Sequence, residues 1–257
     1  MRVRRIASAA SVDRNYRRSK RVFFIRHGQS VANQRKRDTP AERDAVLTEL
    51  GRRQASCWNA NNALSLAFGG DAMLPEVCVC SPLRRAMETA ALVFENEPGV
   101  PIECTRLARE RWWMNYQCIG VEYAETSRFA REELGRRVDG LEGLELLDKY
   151  WNPKCELEEI ARMESENARV GITTEPINKF ELSVREQDAD HISELTKYLI
   201  AHEASSIAIA CHWGVINLLT GMSPNNCDIV VADLDLESHS YSVVGQYQPP
   251  GNVEKSI

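Results

Sequence analysis

The sequence predicts an α/β fold of three layers, a mostly parallel sheet flanked by helices, with a helical insertion over the carboxyl ends of the strands. Three observations carry this. Short, wholly apolar runs of strand length recur along the chain, helical stretches alternate with them, and polar segments rich in Arg and His stand where several runs end. Short apolar strands between helices mean a largely parallel sheet covered on both faces.

The first strand is Val22–Ile25, running directly into Arg26-His27-Gly28. Thr48 then opens a helix that reaches to about Phe68, because its hydroxyl can cap the first turn. Val77–Cys80 is a second buried strand, followed by a helix from Leu83 to about Phe94 and a short third strand, Ile102–Cys104. Ile192–Ala201 has helical periodicity, Ser206–Cys211 is a strand, and Val215–Leu219 begins another helix. Ile229–Ala232 and Tyr241–Val244 pair as a closing hairpin.

Between 111 and 178 the pattern loosens, with Trp112, Trp113, Tyr116 and Trp151 among charged, mostly helical sequence. The segment reads as an insertion that covers the strand ends and selects substrate, or as a second helical layer with no ligand contact. The organisation is thus a basic tail at 1–20, one domain at 21–246 carrying that insertion, and a frayed tail at 247–257.

With 257 residues the chain can bury one substantial core, and no stretch approaches the length of a membrane span. The formal charge of −5 hides an asymmetry: eight Lys/Arg against Asp13 give +7 through Arg21, leaving −12 on the remainder. An acidic body argues against nucleic-acid binding, so any anion must be held in a local basic pocket. The eight cysteines are scattered without a CxxC pair, which points to a reducing compartment and no structural metal. The cytoplasm is the expected location. The Arg- and Ser-rich start also fits the composition of an organelle transit peptide.

In open α/β sheets, ligands bind outside the carboxyl ends of the strands. Arg26-His27-Gly28, Ser81 to Arg85 and His212 all fall there. Two imidazoles and two guanidiniums make a site for a phosphoryl group: forked cations bind its oxygens, and His27 can attack phosphorus to form a phosphohistidine that water hydrolyses. His212 is a further donor. The leaving alkoxide needs a proton, for which Glu110 is the best-placed carboxylate. Taken singly, each residue has a plain structural explanation; their joint occurrence, in order and at strand exits, carries the reading.

These segments resemble the histidine phosphatase superfamily, whose fold is phosphoglycerate mutase-like. Arg26-His27-Gly28 matches its signature, Leu47-Thr48-Glu49-Leu50-Gly51-Arg52-Arg53-Gln54-Ala55 its LTxxGxxQA segment, and Ser81 to Ala90 its SPLxRAxxTA segment. Cys211-His212-Trp213-Gly214 stands where the family has Ser-His-Gly-Gly, so Trp213 replaces a small residue beside the pocket. The resemblance implies that His27 is phosphorylated, and that Arg26, Asn33, Arg85 and His212 contact the phosphate. It also implies Glu110 as the acid, a phosphorylated small molecule or phosphoprotein as substrate, and no metal or organic cofactor. The mutase branch carries an FxGW-type segment after its Arg-His-Gly; Gln34-Arg-Lys-Arg-Asp-Thr-Pro40 stands here instead, which favours hydrolase over mutase. A weakly active phospho-ligand binding protein is the rival from another class.

Overall fold

The computed structural model describes residues 19–37, 39–59, 63–69, 74–110, 115–135, 137–148, 150–170 and 181–251. Most of the basic tail, Trp112, Trp113, residues 171–178 of the insertion and the last six residues therefore lie outside what is described. One six-stranded sheet, ordered β3-β2-β4-β1-β5-β6, forms the centre. Its strands are β1 (Ser19–Arg26), β2 (Val77–Cys80), β3 (Ile102–Cys104), β4 (Ser206–Cys211), β5 (Ile229–Asp235) and β6 (Tyr241–Tyr247). The first four are mutually parallel, and β5 and β6 run antiparallel as the expected hairpin. The fold is the α/β architecture read from the sequence.

Eight helices accompany the strands among the described residues. They are α1 (Val31–Arg35), α2 (Glu49–Ser56), α3 (Ala63–Phe68), α4 (Arg84–Val93), α5 (Tyr123–Glu132), α6 (Pro153–Val170), α7 (Glu181–Ala201) and α8 (Trp213–Thr220). Because β-strand side chains alternate between faces, an apolar run feeds two cores at once. Phe23, Ile25, Cys78, Cys80, Ala208 and Ala210 pack with Trp58, Phe68, Met87 and Phe94 on one face. Val22, Phe24, Val79, Ile207 and Ile209 pack with Leu195, Leu199, Val215 and Ile216 on the other. Cys78, Cys80, Cys104, Cys211 and Cys227 are buried, and all eight cysteines are free thiols.

Two expected boundaries move. β1 starts at Ser19, within the stretch assigned to the tail, because Arg21 pairs across the sheet with Asp233 at 2.6 Å and the Lys20 ammonium donates to the Leu199 and His202 carbonyls at the end of α7. The single helix expected from Thr48 to Phe68 is broken into α2, a 3-10 turn at Cys57–Asn59, and α3. The break is held by Trp58, whose indole donates to Cys227 O at 2.9 Å, and by Asn59, which donates to Leu92 O at 2.6 Å. These tertiary bonds outweigh a continuous helix through a run poor in helix formers.

The start of α2 is wired to the loop that follows β1. Thr48 caps the helix by accepting from Gly51 N at 3.0 Å and donates to Gln29, while Gln54 Oε1 accepts from Gln29 N at 2.9 Å. Gly28 and Gly51 sit back to back: a Cβ on Gly28 would lie 2.5 Å from Gly51 O, and one on Gly51 would lie 2.1 Å from Gln29 O. Both neighbours are backbone, so neither can move aside cheaply. Gly51→Ala should therefore lower folding stability by about 2 kcal/mol through overpacking, measured as a fall in the chemical denaturation midpoint. An unchanged midpoint would show that the loop and helix can separate freely.

Candidate active site

The parallel pairing of β1 with β4 sets the site. Arg26 stands directly opposite Cys211, and His27 N donates to Cys211 O at 3.0 Å. The next residues on the two strands are His27 and His212, brought side by side by strands that run about 4.8 Å apart. Their ring centroids are 5.1 Å apart and tilted by 57°. β2 lies beyond β4, so its exit delivers Ser81, and the first turn of α4 delivers Arg85.

His27 Nδ1 lies 2.7 Å from Gly28 O. A carbonyl oxygen only accepts, so Nδ1 carries the proton, and in the neutral ring Nε2 is left with its lone pair. Arg85 Nε donates to that same Nε2 at 3.3 Å. Burial, then the positive charges of Arg85 and Arg26, hold the His27 pKa well below the ordinary imidazole value. The ring is therefore neutral, with its lone pair turned toward a guanidinium. The Gly28 loop is itself pinned: Gly28 N donates to Thr89 Oγ1 at 3.0 Å, and Thr89 donates onward to Arg85 O at 2.7 Å.

His212 is fully buried, and its Nε2 lies 2.8 Å from Ser81 Oγ. Its Nδ1 has no hydrogen-bond partner. Burial first, then Arg85, His27, Arg26 and Arg109, lower its pKa well below the usual value. Each of the two pocket guanidiniums is anchored by one nitrogen to a carbonyl, Arg26 Nη1 to Pro224 O at 2.8 Å and Arg85 Nη1 to Gln117 O at 2.7 Å. The adjacent Arg84 turns away, to Asp44 and to the face of Phe129, whereas Arg85 faces His27.

Glu110 is buried, and its Oε2 accepts from Gly214 N at 3.1 Å, in the first turn of α8. A carboxylate suits that position, where helix N–H groups lack intrahelical partners. Its charge is felt at Arg26, so carboxylate and pocket share one region. Asn33 serves first as a cap: its Oδ1 accepts from Ser30 N and Ser30 Oγ, both at 3.1 Å, leaving Nδ2 as the group available for a phosphate. The Trp213 indole donates to Ser223 Oγ at 2.9 Å, on the loop that also anchors Arg26.

The insertion reaches the site. Gln117 supplies the carbonyl that anchors Arg85, and Arg109 ties the β3 exit to α6 through Glu156 at 2.8 Å while lying over Trp151. Gln117, Trp151 and Glu156 of the insertion thus stand against residues of the candidate site. Arg35 and Arg52 are paired with Glu42 and Glu88.

Sequence reasoning missed Asn226, which is buried and donates from Nδ2 to His27 O at 2.8 Å, and Pro224, whose carbonyl holds Arg26. Attention to strand exits alone overlooks them. β5 is antiparallel, so its entrance, not its exit, lies at the His27 end of the sheet. The turn-forming run Ser223-Pro224-Asn225-Asn226 before an apolar strand was the available signal. Among the described residues no group of three or more His, Cys, Asp or Glu could hold a metal ion, and no helix is long and apolar enough to cross a membrane.

The model of the histidine phosphatase superfamily, branch 1, matches residues 22–146. A probable phosphatase of Schizosaccharomyces pombe is 35% identical over 105 residues, 41% of this chain and 46% of that protein, so the match spans less than half of that relative's length. Among solved structures, the alpha-ribazole phosphatase of Shigella flexneri aligns over 87% of this chain and 94% of its own, at 18% identity and a TM-score of 0.48. The phosphoserine phosphatase of Entamoeba histolytica, solved with 3-phosphoglyceric acid, aligns over 90% and 98%, at 14% identity and a TM-score of 0.48. Residues 22–146, the segment that carries Arg26, His27, Arg85 and Glu110, are thus similar to the histidine phosphatase superfamily.

Proposed function

We propose that the protein is a phosphomonoester hydrolase acting through a phosphohistidine on His27. The observation that carries this is the buried, neutral His27 ring with Nδ1–H committed to Gly28 O and Nε2 facing Arg85. Such a nitrogen is both nucleophilic and surrounded by the charge that a phosphoryl group requires.

In the first step Nε2 forms a bond to phosphorus as the P–O bond to the alcohol breaks, and Glu110 gives its proton to the departing alkoxide. Arg26, Arg85 and His212 hold the non-bridging oxygens, where charge stabilisation supplies most of the acceleration. In the second step Glu110 takes a proton from water, whose oxygen attacks phosphorus, breaking the N–P bond and restoring the neutral His27. Asn33 adds a donor through Nδ2. The substrate is a phosphorylated small molecule or phosphoprotein, and neither step calls for a metal. Absence of the FxGW-type segment after Asn33 favours release of phosphate to water over its return to a product.

Turnover of an aryl phosphate is expected in the wild type and absent in His27→Ala; a fully active His27→Ala would end the proposal. Arg85→Ala should lower kcat/KM by about two orders of magnitude or more, the scale of losing one charge-stabilising donor, and retention within a few-fold would remove Arg85 from the chemistry. Glu110→Gln should slow alkyl phosphates far more than activated aryl phosphates, since only the poor leaving group needs a proton; equal losses would eliminate Glu110 as the acid. Because the His27 pKa is depressed, the ring should stay neutral as pH falls from about 7 through the ordinary histidine value near 6.5. Nitrogen-15 NMR titration of the free protein checks this, and protonation at or above that value would contradict the nucleophile assignment.

A further inference from the structure

Ser81 is wholly buried at the exit of β2, and its hydroxyl has two neighbours. Leu83 N donates to Oγ at 3.2 Å, and His212 Nε2 lies 2.8 Å away. The Leu83 amide is an obligatory donor, so it takes one of the two lone pairs of Oγ. The Ser81 proton then needs an acceptor, and His212 Nε2 is the one in reach.

The alternative assignment has Nε2–H donating to Ser81. It would strand two groups at once, the buried Ser81 proton and a bare lone pair on His212 Nδ1. Donation by Ser81 strands only one: Nε2 accepts and the Ser81 proton is used, leaving just the Nδ1 proton with no partner in the protein. Burial makes the difference decisive, because an unmade hydrogen bond by a buried polar group costs about 1–3 kcal/mol.

We infer that Ser81 is a positioning residue that locks neutral His212 in its Nδ1–H tautomer, so that this imidazole donates to a phosphoryl oxygen without having to be protonated. The two histidines are then complementary. His27 is fixed by the Gly28 carbonyl with a bare Nε2 for attack on phosphorus, and His212 is fixed by a serine hydroxyl with an N–H for the oxygens. The use of that N–H in turnover rests on the phosphohistidine reading above, whereas the tautomer itself does not.

Loss of the hydroxyl has a signature that loss of packing lacks. In Ser81→Ala the His212 ring is released to place its proton on Nε2 and present a lone pair to the phosphoryl oxygens, which is repulsive. Only the imidazolium, protonated on both nitrogens, then donates from Nδ1. The depressed pKa keeps His212 from that form at neutral pH, so the defect must show there and must follow the hydroxyl. Ser81→Thr keeps a hydroxyl and should keep the tautomer.

The test is nitrogen-15 NMR of the full chain with labelled histidine at neutral pH, the His212 signals being assigned by their loss in His212→Gln. Wild type and Ser81→Thr are expected to show a protonated Nδ1 and a bare Nε2, and Ser81→Ala a reversed or mixed pattern. Alongside, kcat/KM for an aryl phosphate at neutral pH should fall about tenfold or more in Ser81→Ala and stay near wild type in Ser81→Thr, on the scale of one lost donor. A protonated Nε2 in the wild type overturns the inference, as does a Ser81→Ala spectrum unchanged from wild type. Wild-type activity in Ser81→Ala, or an equal loss in Ser81→Ala and Ser81→Thr, overturns the role in turnover. Should Ser81→Ala not fold, the wild-type and Ser81→Thr spectra decide alone. Full activity in His27→Ala would instead defeat the phosphohistidine reading while leaving the tautomer measurement intact.

Discussion

Two imidazoles lie side by side, out of water, between two permanent cations, and the remainder of the site follows from how they are kept neutral. One more proton on either ring would place a third positive charge in a buried cluster that has no room for its hydration. The protein avoids this by giving each ring one fixed polar neighbour, Gly28 O for His27 and Ser81 Oγ for His212. Everything nearby then supports one of those neighbours. Thr89 and Gln54 brace the Gly28–Gln29 loop, Asn226 holds the His27 carbonyl, and Gly51 allows α2 to press against the loop backbone. Segments that look remote from the two rings are thus the walls of the His27 cradle.

Much of this was legible in the residue order, for a definable reason. Parallel strands buried on both faces must be continuous apolar runs, so Val77–Cys80 and Ser206–Cys211 stand out, and each announces its own exit. Arg26, His27, Arg85 and His212 could be placed because they lie within a few residues of such exits. What stayed hidden depends on long-range packing. The break after Ser56 exists because Trp58 and Asn59 find carbonyls 169 and 33 residues away. Asn226 and Pro224 reach the site because a strand enters where the others leave, a fact about direction that no local pattern records. The extension of β1 back to Ser19 depends on Asp233 across the sheet.

The insertion gives the site its second half. Its Gln117 carbonyl fixes Arg85, while Arg109 joins the β3 exit to α6 and lies against Trp151. Trp151 is in turn pressed on Gly120, where an added Cβ would come within 2.0 Å of the indole. The orientation of the Arg85 guanidinium and the packing of the insertion are then properties of one connected structure.

The thiols set within the sheet have a consequence of their own. Hydrogen bonding to Cys104 and burial push the Cys80 thiol up, and burial pushes Cys211 and Cys227 up. Only thiolates react quickly with alkylating agents, so while the strands stay closed these sulfurs are shielded both sterically and chemically. Cys155 is exposed and stands apart from them. Alkylation of the native protein would thus mark α6 at once and the strand interior only as fast as the sheet opens, making these cysteines a native clock for unfolding that needs no added label.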